Sequence, residues 1–134
     1  MRTAFRIVAS LAALAVVVQV GFAGYGAFDA LDKAKHGPIT KQTIEHGFDP
    51  HGALGTIVIA LLLLLLIVAL VARVHVPVAG LLFGLGIVQW LLAWGASHAA
   101  WVGFFHGVNA IVLAGVAGSL AGDEWREARV PSTA

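Results

Sequence analysis

Residues 54–72 read LGTIVIALLLLLLIVALVA, an apolar run without a single charged side chain. A helix needs about 20 apolar residues to cross the roughly 30 Å hydrocarbon core of a bilayer, so this run, extended to residues 51–72, predicts a membrane-spanning helix. Comparable runs occupy residues 5–28, 76–96 and 99–121. Of the 134 residues, 60% are hydrophobic and 11% are charged, which is far from the composition of a soluble domain. The sequence therefore predicts a multi-pass membrane protein.

The connections between these runs predict how the helices are arranged. Residues 73–77 join the second and third runs, and residues 97–100 join the third and fourth. Connections this short require antiparallel neighbours, so we expect an all-α, antiparallel four-transmembrane-helix bundle in a single membrane domain, residues 1–134. The alternation of apolar and polar residues that is typical of a membrane barrel is absent. No internal repeat is evident.

The segment between the first two helices, residues 29–50, is predicted to be an outer loop. Gly37-Pro38 and Asp49-Pro50 are typical of turns, and the second of them places His51 at the start of a helix. Residues 39–45 could form a short helix or lie along the membrane surface.

The arginines predict the orientation of the chain. Arg2 and Arg6 precede the first helix, Arg73 lies between the second and third, and Arg126 and Arg129 follow the fourth. Basic residues in short flanks favour the cytoplasmic side, so both termini are predicted to be cytoplasmic. The first apolar run is longer than the roughly 7–15 apolar residues of a signal peptide, and we expect it to be a retained helix.

The composition argues against several classes of site and partner. Without cysteine, the chain can form no disulfide, no thiolate metal site and no covalently attached c-type haem. A net charge of +1 without a basic tract gives no indication of a nucleic-acid partner, which leaves the lipid bilayer as the predicted environment. No Asp, Glu, Lys or Arg lies in the interior of a predicted helix, which disfavours a transporter.

Two of the six histidines are predicted to face each other across the bundle. His51 starts the second helix, and His106 lies about a turn and a half inside the fourth; both helices run inward from the outer side. The two imidazoles are therefore expected at a similar depth. Ionisable groups inside a membrane are functional by default. The alternatives are a solvated boundary histidine for His51, and a hydrogen bond from His106 to a backbone carbonyl or to Asn109.

Small residues lie beside both histidines. Gly55 follows His51 by one helical turn, and Gly103 and Gly107 share a helical face with His106. A b-type haem needs two imidazoles on opposing helices and flat space for its macrocycle, and small neighbours provide that space. Small faces also let membrane helices pack closely without any cofactor.

Other residues within the helices have structural interpretations. Gln19 and Gln89 are predicted to form interhelical hydrogen bonds, with contact to a quinone or to a haem edge as the alternative. Gly80-x-x-x-Gly84 in the third helix is expected to permit close approach of another helix.

The remaining histidines lie outside the helix interiors. His98 is predicted to lie at the interface, on the side where it could bond a haem propionate or replace His51 as a ligand. His75 is predicted to lie in the cytoplasmic turn. A weaker hypothesis is a zinc or copper site in the outer loop, formed by His36, His46 and Asp49.

Residues 88–95, VQWLLAWG, followed by a short turn and by His106 with its small neighbours, resemble the paired helices of one half of the haem A synthase family. In that family a four-helix half carries one histidine at the outer start of its second helix and one in its fourth, and the two ligate a b-type haem. The resemblance implies that His51 and His106 are the iron ligands. It covers most of the chain and extends to small four-helix bacterial membrane proteins, which implies the bacterial inner membrane.

The chain departs from that family at one position. The catalytic half carries a glutamate three residues before the first ligand, where this chain has Phe48. The departure argues against hydroxylation of a haem methyl group while leaving haem ligation in place. Because the chain resembles only one half of a haem A synthase, the resemblance also suggests a homodimer or a larger membrane complex.

The sequence thus favours a membrane protein that binds haem b through two histidines near the outer face. With both axial positions filled, the iron would serve electron transfer, or the chain would be a haem-bearing accessory subunit with no catalytic activity of its own. The alternative is a cofactor-free structural or assembly subunit of a larger membrane complex.

Overall fold

A computed structural model describes residues 1–129 of the chain. Within them lie four α-helices and no strand: α1 (Arg2–Ala34), α2 (Lys41–Ala72), α3 (Val76–Ala96) and α4 (Val102–Arg129). Each helix is long and apolar enough to cross a membrane, which confirms the predicted all-α, four-helix, multi-pass class. The domain predicted over residues 1–134 also includes residues 130–134, which lie outside the described residues.

The outer loop predicted over residues 29–50 is wrong in extent. Helix α1 continues to Ala34 and α2 begins at Lys41, so only residues 35–40 connect them, with Gly37-Pro38 in this connection as predicted. Hydropathy marks the part of a helix that lies in lipid and gives no signal where the helix continues into water. The loop boundaries were therefore placed too far into both helices.

Local interactions explain why the two helices extend. Lys33 pairs with Asp29 one turn earlier, with 2.7 Å between Nζ and Oδ2, which favours helix at the end of α1. Thr40 is the N-cap of α2, and its hydroxyl accepts a hydrogen bond from the backbone N–H of Thr43.

The predicted Asp49-Pro50 turn is also wrong. Pro50 lies inside α2, and His51 is well within that helix instead of at its start. Proline removes one helical hydrogen bond, but it is more frequent in membrane helices than in soluble ones. Since α2 already has its cap at Thr40, the helix passes through Pro50.

The helices pack as a ring in which α1 contacts α2 and α4, and α3 contacts the same two helices. The core contains large side chains that are almost completely buried, together with alanines that allow the helices to approach closely. Many other leucines, valines and isoleucines remain exposed on the outside of the ring, as expected for a surface in contact with lipid. The largest core side chains are Phe5, Leu62, Leu65, Leu82 and Leu113.

Helices α1 and α2 approach each other closely at Gly26. A Cβ atom at Gly26 would lie 2.9 Å from the carbonyl oxygen of Gly47, so only glycine fits. The close approach predicted at Gly80 and Gly84 is wrong, because a Cβ at either position would meet nothing within 4 Å. Gly86, on another face of α3, is the glycine that packs against side chains of α2.

The turn between α2 and α3 has an unusual backbone. Arg73 and His75 both adopt left-handed conformations, with φ of 56° and 48°. Such a conformation costs a residue with a Cβ about 1–2 kcal/mol. His75 is the N-cap residue of α3 and lies in the turn between α2 and α3, as the sequence predicted.

Candidate functional site: two imidazoles between two helical hairpins

His51 on α2 and His106 on α4 lie side by side in the bundle. Their ring centroids are 6.1 Å apart, and the ring planes are inclined by 65°. His51 belongs to the pair of consecutive helices α1–α2 and His106 to the pair α3–α4, and each pair with its short connection is called a hairpin below. The pair therefore joins the two halves of the chain, and neither hairpin contains it alone.

His51 is held by Gln19 on α1 through two hydrogen bonds. The Nδ1 of His51 lies 3.0 Å from the main-chain carbonyl oxygen of Gln19, and the Gln19 amide Nε2 donates to the main-chain carbonyl of His51 at 2.7 Å. Because a carbonyl only accepts, the proton of the neutral ring resides on Nδ1. The Nε2 of His51 therefore carries a lone pair. Phe48 packs edge-on against the ring, with centroids 6.1 Å apart.

His106 is held in the same way by Gln89 on α3. Its Nδ1 lies 3.1 Å from the main-chain carbonyl oxygen of Gln89, which again places the proton on Nδ1. Here, however, the Gln89 amide Nε2 lies 3.1 Å from the His106 Nε2 and donates to its lone pair. The side chain of Asn109 donates to Gln89 Oε1 at 2.7 Å and to the main-chain carbonyl of Leu85 at 3.0 Å.

These contacts confirm that Gln19 and Gln89 form interhelical hydrogen bonds. They also include the alternative considered for His106, a hydrogen bond to a backbone carbonyl. Asn109 acts on His106 indirectly, through the Gln89 side chain.

The two hairpins repeat one arrangement that the sequence analysis missed. Each places a glutamine on its first helix and a His-Gly dipeptide on its second, and the histidine Nδ1 contacts the glutamine carbonyl in both. The signal was present as Val-Gln at 18–19 and 88–89, and as His-Gly at 51–52 and 106–107. The glutamine and histidine are separated by 32 residues in the first hairpin and by 17 in the second, which conceals the repeat from a search at fixed period.

Two cavities meet at the imidazole pair. One, of about 220 Å³, opens between α2 and α3, and the other, of about 330 Å³, opens between α1 and α4. Together they form a gap between the two hairpins, which we call the imidazole slot. The residues that border both cavities are Gln19, His51, Val58, Gln89, His106 and Leu113.

The other residues predicted at the site differ in whether they line the two cavities. Gly55 lines the α2–α3 cavity and Gly107 lines the α1–α4 cavity. Neither lining includes Gly103 or His98. His98 lies in the α3–α4 turn, where its ring contacts Trp94 with centroids 4.8 Å apart and its Nδ1 lies 3.0 Å from the Trp94 carbonyl oxygen.

The slot contains a buried oxygen without a partner. Gln19 Oε1 receives no hydrogen bond from residues 1–129, although Gln19 borders both cavities. Buried acceptors are normally satisfied, so this oxygen marks a place for a water molecule or for another donor.

The residues of the slot fit a b-type haem in three respects. The two ring centroids are 6.1 Å apart, which is close enough for both imidazoles to bond one metal ion through bonds of about 2.0–2.1 Å. Each Nδ1 contacts a carbonyl, as is usual for metal-bound histidine, so that Nε2 is the ligand atom. The gap between the hairpins extends to both sides of the ring pair. The Gln89 amide opposes ligation, because it occupies the lone pair of His106.

The structure pairs two of the three residues predicted to form a metal site in the outer loop. His46 and Asp49 are paired on the first turns of α2, with 3.1 Å between Nδ1 and Oδ2. Within residues 1–129, His36 does not join them in a cluster of metal-ligating atoms.

Comparisons of the chain with protein-family models, with curated proteins and with solved structures find no match. The similarity to haem A synthase therefore depends on the residues quoted above.

Proposed function

We propose that this chain is an integral membrane protein that binds haem b between its two hairpins, and that His51 and His106 would hold the iron. The observation that carries the proposal is the imidazole pair, with its 6.1 Å separation and with a gap on both sides. Electron transfer follows from this ligand set, because two histidines leave no coordination position for a substrate. An accessory haem-bearing subunit would use the same site.

The chain's own groups prepare this site. The carbonyls of Gln19 and Gln89 fix the two rings through Nδ1 and leave Nε2 of each ring as the atom for ligation. Hydrogen bonds of this kind orient a ligating histidine and raise its basicity. When bound, haem b would supply a one-electron couple whose potential depends on burial and on these hydrogen bonds.

Gln89 makes the two ligands unequal before haem binds. His51 Nε2 makes no hydrogen bond, whereas His106 Nε2 accepts one from the Gln89 amide. Ligation through His106 therefore requires the Gln89 side chain to rotate out of the slot. His51 is expected to be the first ligand and His106 the second.

Phe48 supports binding without haem-modifying chemistry. The resemblance to the catalytic half of haem A synthase places a glutamate at this position, but here an apolar ring packs against His51. No carboxylate from this position can take part in oxidation of a haem substituent.

The proposal includes an antiparallel bundle with both termini cytoplasmic, in the inner membrane of a bacterium. Contacts between the beginning of α1 and the end of α4 support the antiparallel arrangement, since Arg6 bonds Glu124 and Trp125 bonds Ser10. The arginine flanks support the orientation. A homodimer would place two such slots in one complex.

The second candidate function is a cofactor-free structural or assembly subunit of a larger membrane complex. The observation that favours it is the completed hydrogen bonding of His106, both of whose ring nitrogens already have partners on α3. In this case the glutamine–histidine pairs would only join the helices.

An absorption spectrum separates the two candidates. The full chain, expressed with added haem precursor and purified in detergent, should show a Soret band and sharp low-spin α and β bands when reduced. His106→Ala should lose the low-spin bands, and His51→Ala should lose haem altogether. His98→Ala is the matched control, because His98 lies outside the slot, and it should retain the whole spectrum. A wild-type protein without a Soret band would refute haem binding and favour the structural subunit.

A further inference from the structure

A second polar cluster, built around Glu124, lies at the end of the bundle that contains the α2–α3 turn. This carboxylate is only 2% exposed, although it lies near the end of α4. Its Oε1 lies 2.8 Å from Nε2 of His75 in the α2–α3 turn, and its Oε2 accepts a hydrogen bond from Nε of Arg6 on α1 at 3.3 Å. Three separate parts of the chain therefore meet at one carboxylate.

Glu127 adds a third metal-ligating side chain. It follows Glu124 by three residues, so both glutamates lie on the same side of α4. The ligand atoms of His75, Glu124 and Glu127 all lie within 4.8 Å of one another. A small movement of Glu127, whose side chain is 57% exposed, would bring all three around one ion.

We propose that His75, Glu124 and Glu127 form a binding site for a divalent first-row transition metal such as Zn²⁺. One imidazole with two carboxylates suits zinc, manganese or iron, whereas magnesium and calcium prefer sites made of oxygen ligands alone. Three protein ligands leave at least one coordination position for water. The site is independent of the imidazole slot and of the function proposed for it.

Other residues hold two of the ligands in place. Arg6 binds Oε2 of Glu124 and leaves Oε1 directed at His75, in the way that outer partners orient ligating carboxylates. Phe5, which is completely buried, stacks on the His75 ring with centroids 5.7 Å apart and planes inclined by 16°.

Access and charge are also compatible with a cation. A cavity of about 340 Å³ borders His75, one of the three ligands, and is lined in part by Ser119 and Asp123. Arg2 is the competing cation at Glu127, at 4.0 Å, but both side chains of this pair are mostly exposed. An exposed pair of this kind is weak, so a divalent ion can displace it.

Zinc binding by the purified full chain tests the proposal. Zn²⁺ is titrated in detergent against a chromogenic chelator. The protein carries His106→Gln, which removes competition from the imidazole pair. Glu127→Gln should weaken binding of one zinc ion at least tenfold. Glu45→Gln is the matched control, because Glu45 is an equally exposed glutamate paired with Lys41 by an i,i+4 contact, and it should leave that affinity unchanged.

A second measurement tests the imidazole ligand. Co²⁺ in place of Zn²⁺ should give visible absorption bands that His75→Gln removes and that His98→Gln retains. The proposal is overturned if Glu127→Gln and Glu45→Gln bind zinc equally, or if the cobalt bands survive in His75→Gln. Since Glu127 is exposed, its variant tests the site without disturbing the buried part of the cluster.

Discussion

The imidazole slot and the Glu124 cluster hold their histidines by different means. In the slot, His51 and His106 are bound by amides and main-chain carbonyls, and cavities lie beside them. In the cluster, His75 is bound by a buried carboxylate that also pairs with an arginine. Neutral hydrogen bonds in a gap can be exchanged for a ligand at modest cost, whereas a buried charge must always keep a partner. The slot is therefore suited to accept a large cofactor, and the cluster to fasten helices and to present ligands already in position.

The largest effect is expected from removing the charge at the centre of the cluster. Glu124→Ala leaves Arg6 and His75 without their shared partner and should lower the free energy of unfolding by about 3–5 kcal/mol, the usual cost of breaking a buried ion pair. Denaturant unfolding in detergent with a chelator present measures this. Glu127→Ala, at an exposed position of the same helix, should cost less than about 1 kcal/mol. Equal losses in the two variants would mean that the cluster does not fasten the bundle.

The next effect concerns the packing that frames the slot. Gly26→Ala places a Cβ 2.9 Å from both the Gly47 carbonyl oxygen and the Phe48 ring, so α1 and α2 must separate. Overpacking of this kind costs about 1–3 kcal/mol. It should also broaden the Soret band, because Phe48 contacts His51.

Gly24→Ala is the matched control for that change. It lies on the same helix and meets nothing within 4 Å, so alanine should be neutral or should stabilise the protein by up to about 1 kcal/mol. Thermal unfolding of the two variants side by side gives the comparison. If Gly24→Ala were as harmful as Gly26→Ala, helix propensity and not the close approach would be responsible.

A smaller and more informative effect is expected from Gln89→Leu. Loss of the amide removes the hydrogen bonds to His106 and from Asn109 and should destabilise the haem-free protein by about 1–2 kcal/mol. The same change frees the His106 lone pair and should strengthen haem binding several-fold, as measured by titration of the haem-free protein. Gln19→Leu should not strengthen it, because the Gln19 amide bonds the main chain of His51 and not its ring. Unchanged or weaker haem binding by Gln89→Leu would contradict the ordering of the two ligands.

The smallest effect is expected at the margin of the cluster. Arg2→Ala removes only the exposed contact to Glu127 and should change the free energy of unfolding by less than about 1 kcal/mol, with a difference that disappears at high salt. Unfolding at low and high ionic strength measures it. A large loss would show that the buried charges depend on this outer arginine.

The sequence predicted the slot better than the cluster for physical reasons. The length of the apolar runs determines the number of helices, and two histidines predicted at a similar depth can lie near each other in a four-helix bundle. The ends of α1 and α2 were missed because helix caps and ion pairs, and not hydropathy, determine where those helices stop. Glu124 and Arg6 are separated by 118 residues, and no local pattern indicates that they meet. Their contact depends on how α1 packs against α4, which a single sequence does not specify.

If haem b binds as proposed, the repeated hairpin would make it a reporter of assembly. Membrane helices insert first and associate afterwards, and each hairpin of this chain contributes only one of the two imidazoles. A low-spin spectrum would therefore arise only once both hairpins have docked, whether they are synthesised as one chain or expressed as two fragments split at the α2–α3 turn. The haem absorbance of the membranes would then measure the association of the two hairpins in living cells, without any added label.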